Sequence, residues 1–343
     1  MSFLSPLGWI LGALANRRNR LYDRGSFRSN TLGAKTISVG NITVGGTGKT
    51  PLVALVAEIL AANNEKVCIL TRGYGRKNTR ERIIVSDGER VLAEVAEGGD
   101  EPVELARRLI GKAVVVADVD RVAAAKWAKE KFDITVFVLD DGFQHRRARR
   151  DIDIVCIDAT NPFGGGKLLP AGRLREPLSN LSRASAVVVT RANLVENADS
   201  IVSAVRRYAK AVPVFTSDVR LQAVVRLESF LSGNAEAVEG LPVNKAAMAF
   251  CGVGNPESFF ALLRQEQIKI AAAEMFRDHY RYVSSDLAGL SKRATHSGAA
   301  FLVTTAKDAV KLKGMAIDLP VFVAVTELAV NDRFAFEKFI LSS

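Results

Sequence analysis

"SVGNITVGGTGKTP", Ser38 to Pro51, is the stretch whose reading decides the fold. It joins the end of a β-branched run to a glycine-rich turn and then to an apolar helical pattern. The phosphate-binding loop pattern is G-x-x-x-x-G-K-[ST], set between a strand and a helix. Gly48, Lys49 and Thr50 match it, while Thr43 stands where the first glycine belongs. Gly45 and Gly46 can supply the positive φ angles such a loop needs, and Val44 and Thr47 complete it. Pro51 is tolerated in the first turn of the helix that follows. Backbone amides and the helix N-terminus cradle phosphates in this arrangement. Lys49 is expected at the β- and γ-phosphates of ATP and Thr50 on Mg²⁺.

A phosphate loop needs a carboxylate on the metal side at the end of a neighbouring strand. "ITVFVLDD" supplies Asp140 and Asp141 after an apolar core, without deciding which of them meets the metal. Further short apolar runs lie at 35–40, 66–73, 113–119, 153–159 and 185–191, with helical patterns at 51–64, 102–110 and 121–132. Continuous apolar strands alternating with helices indicate a parallel sheet covered on both faces. The expected class is therefore α/β: a P-loop NTPase-like α/β/α domain followed by a second, smaller α/β domain. The second block reads strand, turn and helix at 246–265 and again at 299–312, with a last strand at 319–328. The alternating segment 214–229 reads as the connection. The expected division is a helix over 1–24, the P-loop domain over 25–215 and the smaller domain over 216–343.

The three cysteines are far apart and read as buried thiols of a reducing compartment, and three histidines are too few and too scattered for an obvious zinc site. The net charge of +10 calls for an anionic partner: nucleic acid, membrane surface or phosphorylated substrate. With aromatics at 7% and no nucleic-acid motif, nucleic acid is not expected. At the N-terminus the uncharged run Phe3–Ala15 is too short to span a bilayer, for which about 20 residues are needed. Leu7, Leu11 and Leu14 share a helical face, and Arg17, Arg18 and Arg20 follow. Two readings fit: a helix lying in an anionic membrane surface, and a helix packed on the protein's own core.

Ligands of parallel sheets sit at the carboxyl ends of the strands. By that rule "TRGYGR" offers Arg72, Tyr74 and Arg76, unless it is a plain turn. Asp100 in "GDEP" reads either as a helix cap or as a cleft carboxylate. Arg175 and Glu176 lie in "PAGRLREP", His145 follows the Asp140–Asp141 pair, and His279 sits in "FRDHYRY". Each histidine taken alone is as well explained by a structural role.

Taken in order, "GNITVGGTGKTP", "RGYGR", "GDEP", "DDGFQH", "LLPAGRLREP" and "FRDHYRY" resemble the tetraacyldisaccharide 4'-kinases of lipid A biosynthesis. The resemblance covers nearly the whole chain, and Thr43 looks like that family's own form of the loop. It implies transfer of the γ-phosphate of ATP, with Mg²⁺, to the 4'-hydroxyl of an acylated glucosamine disaccharide phosphate, giving lipid IVA. It also implies a peripheral enzyme, held by its N-terminal helix at the cytoplasmic face of the bacterial inner membrane; a monomer is expected. By resemblance Asp100 is the general base, His279 its partner, and Lys49 and Thr50 the ATP and Mg²⁺ residues beside Asp140 and Asp141. Arg72, Tyr74, Arg76, Gln144, His145, Arg175 and Glu176 are then expected to line the site. The rivals are a nucleotide-hydrolysing P-loop switch and a basic nucleic-acid-binding protein. "TTAKDAV" lacks the residue between Lys307 and Asp308 that a guanine-specificity motif requires.

Overall fold

A computed structural model describes residues 5–233, 242 and 245–342. The first four residues of the expected N-terminal helix, and 234–241, 243–244 and 343 of the expected smaller domain, lie outside the described residues.

In chain order the elements are α1 (Ser5–Asp23), β1 (Lys35–Asn41), α2 (Lys49–Ala62), β2 (Val67–Thr71), β3 (Ile83–Ser86), α3 (Val95–Gly98) and α4 (Asp100–Arg108). Then come β4 (Ala113–Ala117), α5 (Arg121–Lys131), β5 (Val136–Asp140), β6 (Ile152–Asp158), β7 (Ala186–Thr190), α6 (Ala198–Arg206) and β8 (Val214–Arg226). The remainder is α7 (Leu227–Ser232), β9 (Ala246–Cys251), α8 (Pro256–Gln265), β10 (Ile270–Met275), α9 (Ser284–His296), β11 (Ala299–Thr305), α10 (Ala306–Ala309), β12 (Val321–Val330) and α11 (Arg333–Leu341).

The strands form one sheet in the order β10-β9-β11-β12-β8-β7-β6-β1-β5-β2-β4-β3. Pairing is parallel except at β3–β4 and β8–β12. The phosphate-loop strand β1 lies between β5, which ends in Asp140, and β6, which ends in Asp158. The segment expected to be a strand-like connection is a 13-residue strand with two neighbours. Val214–Thr216 of β8 pair with β7 in parallel, and Ser217–Arg226 pair with β12 antiparallel. The sheet is thus continuous from one half of the chain to the other.

Side chains alternate across the sheet as strand geometry requires. Ile69 and Val138 pack on one face with Leu52 and Val56 of α2 and Phe336 of α11. Leu70 and Leu139 pack on the other with Ala124 and Ala128 of α5. In the second half Phe250 and Leu302 face Leu287 and Leu290 of α9, while Ala249 and Val303 face Phe259 and Leu263 of α8. Two covered faces leave the carboxyl ends of the strands as the open side.

Helix α1 packs on the protein along one side only. One face docks: a Cβ at Gly12 would stand 2.6 Å from Leu168, and buried Asn19 donates to Glu176. The other leaves Leu7, Trp9, Ile10, Leu11 and Leu14 exposed, Trp9 at 82%. Among the described residues no helix is long and apolar enough to cross a membrane.

Candidate active site

The loop after β1 turns into α2 through Gly48, the cap residue, at φ 79°. A side chain there would take on a strained backbone and stand 3.3 Å from Thr190, so glycine is required twice over. Asn41 donates to Thr47 Oγ1, Thr190 Oγ1 to the Thr47 carbonyl, and Arg191 to the Gly46 carbonyl at 2.8 Å. The backbone of Val44 donates to the Arg173 carbonyl, so the loop is braced from both sides.

Lys49 and Thr50 open onto a cavity of about 440 Å³ between the two halves of the sheet. Its first wall carries the loop from Val44 to Thr50, with Tyr74, Glu101, Glu104, Asp141, Arg175 and Arg191. The facing wall carries Gly254, Asn255, Phe259, Asp278, His279 and Lys307. Gly46 and Gly254 touch backbone to backbone: a Cβ at Gly254 would lie 2.2 Å from the Gly46 nitrogen. Asn255 donates at 2.7 Å to Asp158, which also receives Arg191 at 2.6 Å. Arg281 donates to the Gly75 carbonyl across the same seam.

Five described residues other than glycine have positive φ, and Asp141, Arg191 and His279 are three of them, all on this cavity. Such conformations cost roughly 1–3 kcal/mol each and persist where the surroundings over-determine them, chiefly at functional sites.

Asp141 lies 3.7 Å from Lys49 Nζ and accepts from Arg175 at 2.8 and 2.9 Å. Burial alone would raise its carboxyl, but Lys49 and Arg175 hold it below the ordinary value. Asp140 is deeper and accepts from Thr71 through Oδ2, while its Oδ1 has no hydrogen-bond partner. Burial, with Glu101 and Asp141 nearby, pushes its carboxyl up to about 6. An orphaned carboxylate oxygen held this way is the donor a hard cation would satisfy. Among the described residues no three His, Cys, Asp or Glu side chains gather to hold a metal alone.

Asp100 is the first residue of α4, and Gly99 rather than Asp100 occupies its cap position. Its buried carboxylate meets His279 Nδ1 at 2.9 Å. Burial would raise it, but the hydrogen bond from His279 and the charges of Lys307 and Lys311 prevail and lower it. The same hydrogen bond raises His279 against its own burial. Glu104 faces the cavity with its carboxyl pushed up to about 7, mainly by burial.

The remaining expected lining residues divide. Tyr74 reaches the cavity, and Arg72 stacks on its ring at 5.3 Å. Arg76 turns inward, donating to the carbonyls of Thr79, Glu81 and Ala117. Gln144 and Glu176 stand behind the wall. Glu176, 1% exposed, accepts from Asn19, Gln144, Asn180 and Arg183. Gln144 also accepts from Arg175, so a hydrogen-bonded path runs from α1 to Asp141. His145 is not on the cavity; burial together with Arg121 and Arg150 lowers it to about 4. Lys307, Arg191 and Asn255 were not among the expected residues. The strand-end rule points to the first two, since Lys307 lies two residues past the end of β11 and Arg191 directly after β7.

A family model described as tetraacyldisaccharide-1-P 4'-kinase matches residues 1–343. The chain is 42% identical over 322 residues to a tetraacyldisaccharide 4'-kinase of Geobacter metallireducens, covering 93% of this chain and 91% of that one. It is 38% identical over 337 residues to one of Syntrophus aciditrophicus, covering 94% and 88%. Among solved structures it resembles the "apo" form of LpxK from Aquifex aeolicus in complex with ATP. That likeness has a TM-score of 0.76 and 31% identity, covering 99% of this chain and 98% of that one.

Proposed function

The chain belongs to the tetraacyldisaccharide-1-P 4'-kinase family, and from that premise we propose which of its residues perform the transfer and where. It is an ATP-dependent kinase of lipid A biosynthesis, passing the γ-phosphate of ATP to the 4'-hydroxyl of tetraacyldisaccharide 1-phosphate to form lipid IVA. The observation that carries the residue assignment is a single cavity with the phosphate loop on one wall and His279 on the other, where His279 meets the buried Asp100 carboxylate at 2.9 Å.

The loop from Thr43 to Thr50 cradles the triphosphate, and Lys49 neutralises charge at the transferring group. Lys49 now leans on Asp141 and is free to exchange that contact for phosphate. Asp140, Asp141 and Thr50 would hold Mg²⁺, which when bound supplies positive charge at the β- and γ-phosphate oxygens. Asp100, kept ionised, accepts the proton of the 4'-hydroxyl as the new bond forms, and His279 holds that carboxylate in aim. Transfer of this kind demands positioning and charge neutralisation more than covalent help from the protein. Tyr74 and Arg175 face the substrates, with Arg72 stacked on Tyr74, while Arg76, Gln144, His145 and Glu176 support the wall from behind.

The acceptor is a lipid, so the exposed apolar face of α1 fits a peripheral seat in an anionic surface. That surface is the cytoplasmic face of the inner membrane. The working unit is one chain of two α/β domains, 25–215 and 216–343, closing on the cavity. Purified protein with Mg-ATP and tetraacyldisaccharide 1-phosphate in mixed micelles should add one phosphate to the lipid, read by mass spectrometry. Lys49→Ala should add almost none; a wild-type rate in that variant would remove the phosphate-loop assignment.

A further inference from the structure

We propose that Lys307 is a positioning residue of the transfer, reaching from the second half of the sheet to hold Asp100 and Glu101 on one wall of the cavity and Asp278 on the other. Its Nζ lies 3.0 Å from Glu101 Oε1, 3.0 Å from Asp278 Oδ1 and 3.9 Å from Asp100 Oδ2. It stands on the cavity with its side chain 13% exposed. One ammonium thus serves three carboxylates that two different parts of the chain supply.

The lysine is aimed by a buried frame. It follows the end of β11, where Thr305 caps the short helix α10. The next residue, Asp308, is fully buried. It accepts from the Gly252 amide, the Tyr282 hydroxyl and the Thr305 hydroxyl, and lies 2.7 Å from Lys311 Nζ. A long side chain is costly to immobilise in rotamer entropy, and here neighbouring groups fix the backbone from which it springs.

The charges facing Asp100 can be named from every side. Glu101 and Glu104 come from its own helix, Asp278 and His279 from the loop before α9, Lys307 from α10 and Lys311 just after it. His279 Nε2 is 3.8 Å from Asp278, so the imidazole and the ammonium share that carboxylate. Without Lys307, three acidic groups would crowd a proton acceptor that must stay ionised, in a pocket receiving a polyanion. With it, Asp100 keeps its charge, and the two walls are tied beside the reacting hydroxyl. A misplacement of about 1 Å at such a distance from the bond can cost roughly 10²-fold in rate.

The proposal rests on Asp100 as the base, and the test separates the two. Lys307→Met and Lys307→Gln are assayed for lipid phosphorylation against pH, with melting in the presence of ATP as the measure of folding. The expected result is a kcat about 10- to 100-fold lower and a KM for ATP within about threefold of wild type. The acid limb of kcat/KM should move up by about 1 pH unit, because a cation near a carboxylate lowers its pKa by about that much or more. Lys307→Arg, which keeps the charge, should return the limb to its wild-type place. A fall in kcat with an unmoved limb would make Lys307 a structural tie only and overturn the proposal. Should both neutral variants unfold, Glu101→Gln decides, since the Lys307 ammonium is then left to Asp100 and Asp278. Its acid limb should move down, and an unmoved limb overturns the proposal. Full activity of Asp100→Asn would instead remove the base assignment itself. A slow Asp100→Asn beside an unaltered Lys307→Met would leave the base in place and remove only Lys307.

Discussion

His279 Nδ1 lies 3.0 and 2.9 Å from the two carboxylate oxygens of Asp100, a residue 179 positions away in the chain. One belongs to the wall that carries the phosphate loop, the other to the facing wall. The pair is thus made across the cavity, by residues that two distant parts of the chain supply.

Asp100→Asn keeps the size of the side chain and removes its capacity to take a proton. The expected loss in kcat is about 10²-fold or more, with ATP affinity retained. Isothermal titration with ATP alongside lipid phosphorylation checks both. Loss of ATP binding together with activity would make Asp100 a structural residue.

The pair also sets a pH dependence of stability. The carboxyl of Asp100 is lowered from 3.8, so its contribution is complete above that value and is lost as pH falls through the folded value. The imidazole of His279 is raised from 6.5, so its contribution is complete below that value and is lost as pH rises through the folded one. Both are present together between about pH 4 and pH 6.5. The melting temperature of wild type should exceed that of His279→Gln most within this window, and the gap should narrow on the alkaline side. A gap that widened toward pH 9 would mean that the neutral imidazole is the form held.

Gly254→Ala places a methyl group 2.2 Å from the Gly46 nitrogen, a backbone atom that cannot swing aside. Overpacking of this kind costs about 1–3 kcal/mol. The variant should melt below wild type and turn over more slowly, because the phosphate loop and the Gly254 turn can no longer seat on each other. Scanning calorimetry would show it; an unchanged melting temperature would mean that the contact is slack.

Trp9→Glu with Leu14→Glu puts two charges on the exposed face of α1. Loss of one large apolar side chain from a buried position costs about 1.5–3 kcal/mol, so binding to anionic phospholipid vesicles should fall by more than tenfold. The rate on a water-soluble acceptor should hardly change. Equal sedimentation of variant and wild type with vesicles would exclude this face as the membrane contact.

The parts of the molecule legible in the sequence are the local ones. Strands β1, β2, β4, β5, β6 and β7 are continuous apolar runs and fall within a residue or two of where the pattern puts them. Edge strands β3 and β10 carry no such signal: one has four residues, and the other is "IAAAEM", whose alanines favour a strand weakly. Strand β8 reads as a strand-like connection from its alternation, but its divided pairing with β7 and β12 is not legible, because its partners lie far apart in the chain. In the site, Gly48, Lys49 and Thr50 are contiguous and declare themselves. Lys307 and Glu101 are 206 residues apart, and nothing local announces that they meet. Arg76 misleads for the opposite reason: its position suggests a cleft residue, but three backbone carbonyls claim its guanidinium.

The divided pairing of β8 bears on how the protein could be cut. Excision before Val214 would strip β7 of one of its two neighbours and bare that edge; excision after Arg226 would unpair Ser217–Arg226, the stretch given over to β12. Unpaired edges of that kind invite aggregation. Either cut would leave a fragment with a newly exposed strand edge, poorly suited to expression by itself.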